Sequence, residues 1–167
     1  MSATVNVYLA LGSNIRPEEN IPLAVDALAQ AFDHILAHSS AWQTAAVGSS
    51  GPDFINAVVL VESPLTSQLI KNQLLRPLEA QMGRVRQQDK NAPRTIDLDV
   101  LLYDDRLLDD SLWNSAHLAV PLAELYPGYL QPATGQSLGQ IARDWRQTAP
   151  IRQRADVLNL QMPSEGL

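Results

Sequence analysis

Read as a string of apolar and polar positions, the chain alternates between segments of strand period and segments of helix period. Val5-Asn6-Val7-Tyr8-Leu9-Ala10-Leu11 is an apolar run of strand length, and the turn-forming trio Gly12-Ser13-Asn14 ends it. Pro17 then suits a first helical position, with Glu18 and Glu19 favourable in the first turn. Ile21, Val25, Leu28 and Phe32 follow at helical spacing, and Pro22 still falls where a missing N–H costs little. His34 to Gln43 reads as a second strand and Phe54 to Glu62, rich in valine, as a third. Thr44 to Asp53 between them holds Gly48, Ser49, Ser50, Gly51 and Pro52. It is too long for a tight hairpin, and loops of this kind carry binding more often than structure.

Thr66 is placed to cap a second helix reaching about Met82, with Leu69, Ile70, Leu74, Leu78 and Met82 on its inner side. Pro77 interrupts that stretch, and inside a regular helix it costs about 3 kcal/mol. Gly83 ends the helix. Arg84 to Pro93 is a patternless polar loop, Ile96 to Tyr103 a fourth strand, and Asp104-Asp105 a turn into Arg106-Leu107-Leu108. Farther on, Ala119 to Tyr126 holds a helical turn, and Ser137 caps a helix with Leu138, Ile141, Ala142 and Trp145 inward. The order strand, helix, strand, strand, helix, strand predicts an α+β fold of the ferredoxin-like split βαβ type. Its sheet is antiparallel with helices on one face, and the other face is available to a ligand. Residues 1–150 form one domain; the tail 151–167 lacks a clear pattern and is expected to be partly disordered.

The fourth strand interrupts its own apolar pattern with two carboxylates, in Pro93-Arg94-Thr95-Ile96-Asp97-Leu98-Asp99-Val100. Residues two apart on a strand share a side, so Asp97 and Asp99 face one way with Cα atoms roughly 6.5–7 Å apart, while Ile96, Leu98 and Val100 face the other. Two like charges this close call for a positive partner. A hard cation answers that need, since Mg²⁺ takes one or two carboxylates and leaves its other positions to water and phosphate oxygens. On spacing alone, solvated acids on a half-buried strand are the other reading.

Charge sharpens the picture. The 167 residues carry a net charge of −6, which argues against non-specific nucleic-acid or anionic-membrane binding. Yet Arg84, Arg86, Lys90 and Arg94, four of the twelve Lys and Arg residues, fall in one short stretch. One cationic loop on an acidic protein suits a small polyanion, and arginine's fork suits bidentate phosphate contact. With no cysteine, thiolate metal sites, thiol nucleophiles and disulfides are excluded. No basic start leads into an apolar run and no segment approaches ~18 continuous apolar residues, so a cytoplasmic location without membrane contact is expected. Two Phe and four Tyr are too few for the exposed aromatic sheet of an RNA-binding module.

Four motifs in order now identify a resemblance. Pro93-Arg94-Thr95-Ile96-Asp97-Leu98-Asp99 resembles the signature of the 6-hydroxymethyl-7,8-dihydropterin pyrophosphokinase family, which moves a pyrophosphoryl group from ATP to a dihydropterin and releases AMP. Leu9-Ala10-Leu11-Gly12-Ser13-Asn14 is similar to that family's first strand and turn, Pro52-Asp53-Phe54-Ile55-Asn56-Ala57 to its pterin-contacting strand, and Gly83-Arg84-Val85-Arg86 to its phosphate-gripping loop. The match covers about Val5 to Leu108. The resemblance implies a role in folate biosynthesis, with ATP and a dihydropterin as partners, two Mg²⁺ held by Asp97 and Asp99, and a monomer. It implies Asp97, Asp99, Arg84 and Arg94 as catalytic residues and Arg84, Arg86, Arg94, Glu79 and Val100 as ATP contacts. It also implies Thr44, Ala45, Val47, Phe54, Asn56 and Asp97 as pterin contacts. Read without it, Phe54 is equally a core residue, Glu79 a surface helix acid, Asn56 a loop tie, and Arg84 and Arg86 solvated forks.

The chain departs from the family after the fourth strand. Anchored on Val120-Pro121-Leu122, the segment from Leu108 to Ala119 is about eight residues short by the resemblance, and a phosphate-contacting histidine has no counterpart. An arginine's place falls near Ser115 and a second stacking aromatic's near His117, which is either that stacking group or an ordinary surface or core histidine. Asn91 stands where some family members carry tryptophan. The alternative to an active enzyme is therefore a catalytically weak or inactive paralogue that binds a pterin or nucleotide, or one acting on a related pterin.

Overall fold

A computed structural model describes residues 3–46, 51–84 and 93–163. Its centre is β1 (Val5–Ser13), flanked on both sides by antiparallel partners, β4 (Phe54–Ser63) and β5 (Asp97–Tyr103). β3 (Trp42–Thr44) and then β7 (Arg152–Gln153) extend the sheet beyond β4, β6 (Arg106–Leu107) extends it beyond β5, and β2 (Ala37–His38) also pairs with β4. The short β5–β6 turn has positive φ at both Asp104 (50°) and Asp105 (65°), the hand that matches strand twist. The split βαβ order is as expected. β1 runs two residues past Leu11, because Gly12 pairs with both Asn56 and Asp97 and Ser13 pairs with Ile55.

Alternation assigns the faces. Val7, Leu9, Leu11, Ile55, Ala57, Val59, Leu98 and Val100 form a core with α1 (Pro17–Ala31) and a second helical rod. Ile21, Val25, Leu28 and Phe32 are the buried stripe of that side, as their spacing predicts. The opposite face is shared. α4 (Ala116–Leu125) and α5 (Leu138–Thr148) pack over Tyr8, Val58, Leu60 and Leu102, and the remainder is the floor of a cavity. A register shift of β5 against β1 at Leu101 lets both Leu101 and Leu102 join this second core.

The second helical rod explains Pro77. α2 (Ser67–Leu69), capped by the Thr66 hydroxyl, continues into a π-helix, Ile70–Leu75, and then α3 (Arg76–Gln81). Pro77 therefore stands in the first turn of α3, beyond the wide turn where the Arg76 N–H donates to Lys71 O. The extra residue also rotates the buried stripe, so Ile70, Leu75 and Leu78 are buried while Leu69, expected inward, is 38 % exposed.

The expected continuous strand His34–Gln43 is two short ones instead. Ser39 Oγ accepts the Val58 N–H at 2.9 Å, and the Ser40 N–H leaves the ladder for Glu124 Oε1 at 3.0 Å. The helical turn expected at Ala119–Tyr126 is the larger α4, preceded by a 3-10 helix at Asp110–Asn114. Ser137 caps α5 through the Gln140 N–H. Beyond Pro150 the chain lies along the β3 edge rather than apart from it: Ala41 N–H donates to Leu158 O and Gln161 pairs with His38. Among the described residues no helix is long and apolar enough to cross a membrane.

Candidate active site

One cavity of about 240 Å³ collects most of the residues singled out by the sequence. Ala10, Gly12, Asn56, Asp97 and Asp99 form its floor on adjacent strands, because Gly12 is registered against both Asn56 and Asp97 and Ala10 against Asp99. Thr44, Ala45, Ala46 and Phe54 line one side; Asp109, Ser111, His117 and Leu118 line the other. Arg94 also reaches the cavity.

Each polar group has a reason for its position. Asn56, only 4 % exposed, donates from Nδ2 to Thr44 Oγ1 (3.0 Å) and Trp42 O (3.3 Å), so its amide is fixed. Gly12 makes room for it, since a Cβ there would lie 3.3 Å from Asn56 Oδ1 and 3.8 Å from Phe54 Cδ1. Buried Asn14 pins the Arg94 backbone in both directions: its Oδ1 accepts the Arg94 N–H at 2.7 Å and its N–H donates to Arg94 O at 3.1 Å. The Arg94 guanidinium meets Asp97 Oδ2 at 3.3 Å and stands 5.9 Å from the Phe54 ring centroid.

Behind the floor, a buried ion pair grips the residue between the two aspartates. Glu79 is 2 % exposed, its Oε1 is 2.8 Å from Arg76 Nη1, and its Oε2 accepts the Leu98 N–H at 2.8 Å. Arg76 Nη1 also donates to Leu98 O at 3.1 Å. The reading of Glu79 as a surface helix acid is thereby overturned: its helix faces the free edge of β5, whose backbone groups need partners. Val100 points away from the cavity into the first core. Arg84 follows α3, with its N–H on Glu79 O, and does not line the cavity. Arg86 and Val47 lie outside the described residues.

Electrostatics follow from this lining. Among the described lining residues three carboxylates, Asp97, Asp99 and Asp109, oppose one guanidinium, Arg94, so a polyphosphate needs accompanying cations to enter. The donor set fits magnesium brought in with phosphate. Asp99 Oδ1 accepts the Val100 N–H and Asp97 Oδ2 meets Arg94, which leaves one oxygen on each acid outside those contacts. No group of three or more His, Asp or Glu that would cage a metal occurs among the described residues, and Mg²⁺ completes its shell with water and phosphate oxygens. His117 has its pKa lowered by burial, with a smaller opposing pull from Asp109, so it stays neutral near pH 7.

Gly12, Asn14, Asp109, Ser111 and Leu118 were not marked as site residues by sequence. The turn trio after the first strand was a signal for the first two; the others depend on how α4 folds back.

Comparison with known proteins agrees with this arrangement. The family model for 7,8-dihydro-6-hydroxymethylpterin-pyrophosphokinase matches residues 8–127. A 2-amino-4-hydroxy-6-hydroxymethyldihydropteridine pyrophosphokinase of Synechocystis sp. is 32 % identical over 80 % of this chain and 72 % of its own length. The proteins of that name from Haemophilus influenzae and Pseudomonas aeruginosa are 31 % identical (77 % of this chain, 86 % of theirs) and 34 % identical (75 % and 83 %). The fold is also that of crystal structures of Plasmodium falciparum HPPK-DHPS. The wild type superposes with a TM-score of 0.65 at 11 % identity, over 86 % of this chain and 41 % of that one. The wild type with pteroate superposes with a TM-score of 0.62, over 87 % and 43 %. This chain thus spans less than half the length of those solved chains. With the matched model covering most of the sheet and the whole cavity floor, the chain belongs to the 7,8-dihydro-6-hydroxymethylpterin-pyrophosphokinase family.

Proposed function

We propose that this protein transfers the pyrophosphoryl group of ATP to the hydroxymethyl oxygen of 6-hydroxymethyl-7,8-dihydropterin, releasing AMP, a step of folate biosynthesis. The observation that carries the reading is the convergence of Asp97 and Asp99 with Thr44, Phe54 and Asn56 on one cavity, bridged by Arg94. The hydroxymethyl oxygen forms a bond to the β-phosphorus while the bond from that phosphorus to the α–β bridging oxygen breaks, and the hydroxyl proton is lost. Such transfer depends on positioning and charge stabilisation.

The pterin lies between Phe54 and the His117 wall. Asn56 has both amide hydrogens engaged within the protein, so its Oδ1 is oriented to accept from the pterin's N–H edge. Neutral His117 presents a flat ring at no cost in charge burial. Arg94 stands between pterin and phosphate, where it offsets charge on the transferring group. Asp97 and Asp99 hold two Mg²⁺ that arrive with the nucleotide; when bound, these ions neutralise phosphate charge and lower the pKa of the attacking hydroxyl. Arg84 and Arg86 serve as further phosphate contacts. The working unit is a monomer.

The test is AMP release from Mg-ATP in the presence of the dihydropterin. Turnover well above an Asp99→Ala control supports the reading; pterin binding with background AMP release rejects it. That second outcome is the alternative, a weak or inactive pterin-binding paralogue. It is favoured by one observation: the wall built from Asp109, Ser111 and His117 offers no cation to phosphate.

A further inference from the structure

Glu124 lies outside the cavity, yet it joins the two walls that define it. From α4 its Oε1 accepts Trp42 Nε1 at 2.8 Å and the Ser40 N–H at 3.0 Å, while its Oε2 accepts Ser40 Oγ at 3.0 Å. The helix that carries Glu124 also supplies His117 and Leu118 to the cavity. The strand segment it holds runs directly into Thr44 on the opposite side. Trp42 is the hinge of this connection. Its carbonyl accepts from Asn56 Nδ2 at 3.3 Å, its ring packs with Val120 and Ala142, and Arg146 covers the ring at 5.0 Å.

We propose that Glu124 is a positioning residue for the pterin subsite, fixing the distance between the His117–Leu118 wall and the Thr44–Asn56 rim. The proposal rests on reading the cavity as the pterin site. α4 otherwise meets the sheet through Leu118, Ala119 and Leu122, apolar contacts that attract without specifying a direction. Hydrogen bonds to a carboxylate are both stronger and directional, and three on one group fix where α4 stands along β3. A flat ring held between two walls is sensitive to their separation, because displacements of about 1 Å at a binding surface can cost roughly 100-fold in rate. Asn56 feels the same constraint through the Trp42 carbonyl.

The experiment measures binding of 6-hydroxymethyl-7,8-dihydropterin and of Mg-ATP separately, together with turnover, for the wild type and Glu124→Ala, Glu124→Gln and Trp42→Phe. Glu124→Ala is expected to raise the pterin Kd and KM about tenfold while the Mg-ATP Kd stays within about twofold. Glu124→Gln keeps an oxygen for both Trp42 and the Ser40 N–H, so it should restore the pterin Kd to within about threefold of wild type. Trp42→Phe removes one donor and should fall between the two, which keeps the test open if the alanine variant folds poorly. Equal weakening of pterin and ATP, or a pterin Kd unchanged in both Glu124→Ala and Trp42→Phe, or no restoration by glutamine, overturns the proposal. A wild-type protein that binds no pterin removes the substrate reading and this one with it. One that binds pterin as well as its Glu124 variants removes this one alone.

Discussion

Glu79 offers the sharpest test of how the acidic strand is held. Replacing it by alanine removes the acceptor of the Leu98 N–H and leaves the Arg76 guanidinium without the carboxylate now 2.8 Å away. Breaking a buried pair by deleting one partner generally costs about 3–5 kcal/mol. Arg76 is 26 % exposed and regains water once the acid is gone, which moves the expectation to the lower end, about 3 kcal/mol. In a chain of this size, about 2–4 °C in Tm accompanies each kcal/mol, so the midpoint should drop by roughly 6–12 °C. Glu79→Gln keeps an oxygen for Leu98 and loses only the charge, for about 1–2 kcal/mol. Urea unfolding followed by tryptophan fluorescence and far-UV circular dichroism gives both numbers, provided the two probes coincide. A loss under about 1 kcal/mol for the alanine variant, the range of exposed pairs, would refute the claim that this pair anchors β5.

Other consequences can be checked with the same preparation. Asp99→Ala should lower turnover by at least about 1,000-fold while leaving the unfolding midpoint within about 0.5 kcal/mol of wild type, because Asp99 is an exposed residue; retained activity removes its metal role. Gly12→Ala places a Cβ 3.3 Å from the fixed Asn56 oxygen and should weaken pterin binding several-fold in a fluorescence titration, with unchanged affinity counting against the packing argument. His117 has a lowered pKa in the fold, so its unfolded form binds the proton more readily. Its contribution is therefore fully present above the ordinary histidine pKa of about 6.5 and is lost as pH falls through the lower folded value. His117→Gln should remove part of the fall in urea midpoint between about pH 7 and pH 5, and an unchanged pH profile would contradict the burial argument.

Much of the arrangement was legible because it is periodic. Alternation put Asp97 and Asp99 on one side and Leu98 and Val100 on the other, and they are found there. The α1 stripe and the Thr66 and Ser137 caps were readable for the same reason: each is a local rule acting on neighbours in sequence. What escaped depends on partners far along the chain. Ser39 and Ser40 break the second strand because Val58 and Glu124 compete for their polar groups, and no window around them contains those partners. Glu79 was ambiguous between surface and site because its burial is set by the free edge of β5, which it meets 19 residues on. Asp109 and His117 entered the cavity only when α4 folded across the second sheet face.

The π-helical turn at Ile70–Leu75 has a consequence for which changes of length the chain tolerates. Removing one residue there would restore a regular helix that is locally more comfortable. It would also turn everything after it by about 100° and draw it back by about 1.5 Å. Leu75 would leave the core and Arg76 and Glu79 would swing off the Leu98 backbone. The two aspartates would then stand on a strand edge with its N–H and C=O unclaimed. A one-residue deletion in this helix, far from any bound substrate, should therefore be more damaging than several deletions in the surface loops. The wide turn acts as a phase adjuster, keeping one end of the rod keyed to the core and the other to the chemistry.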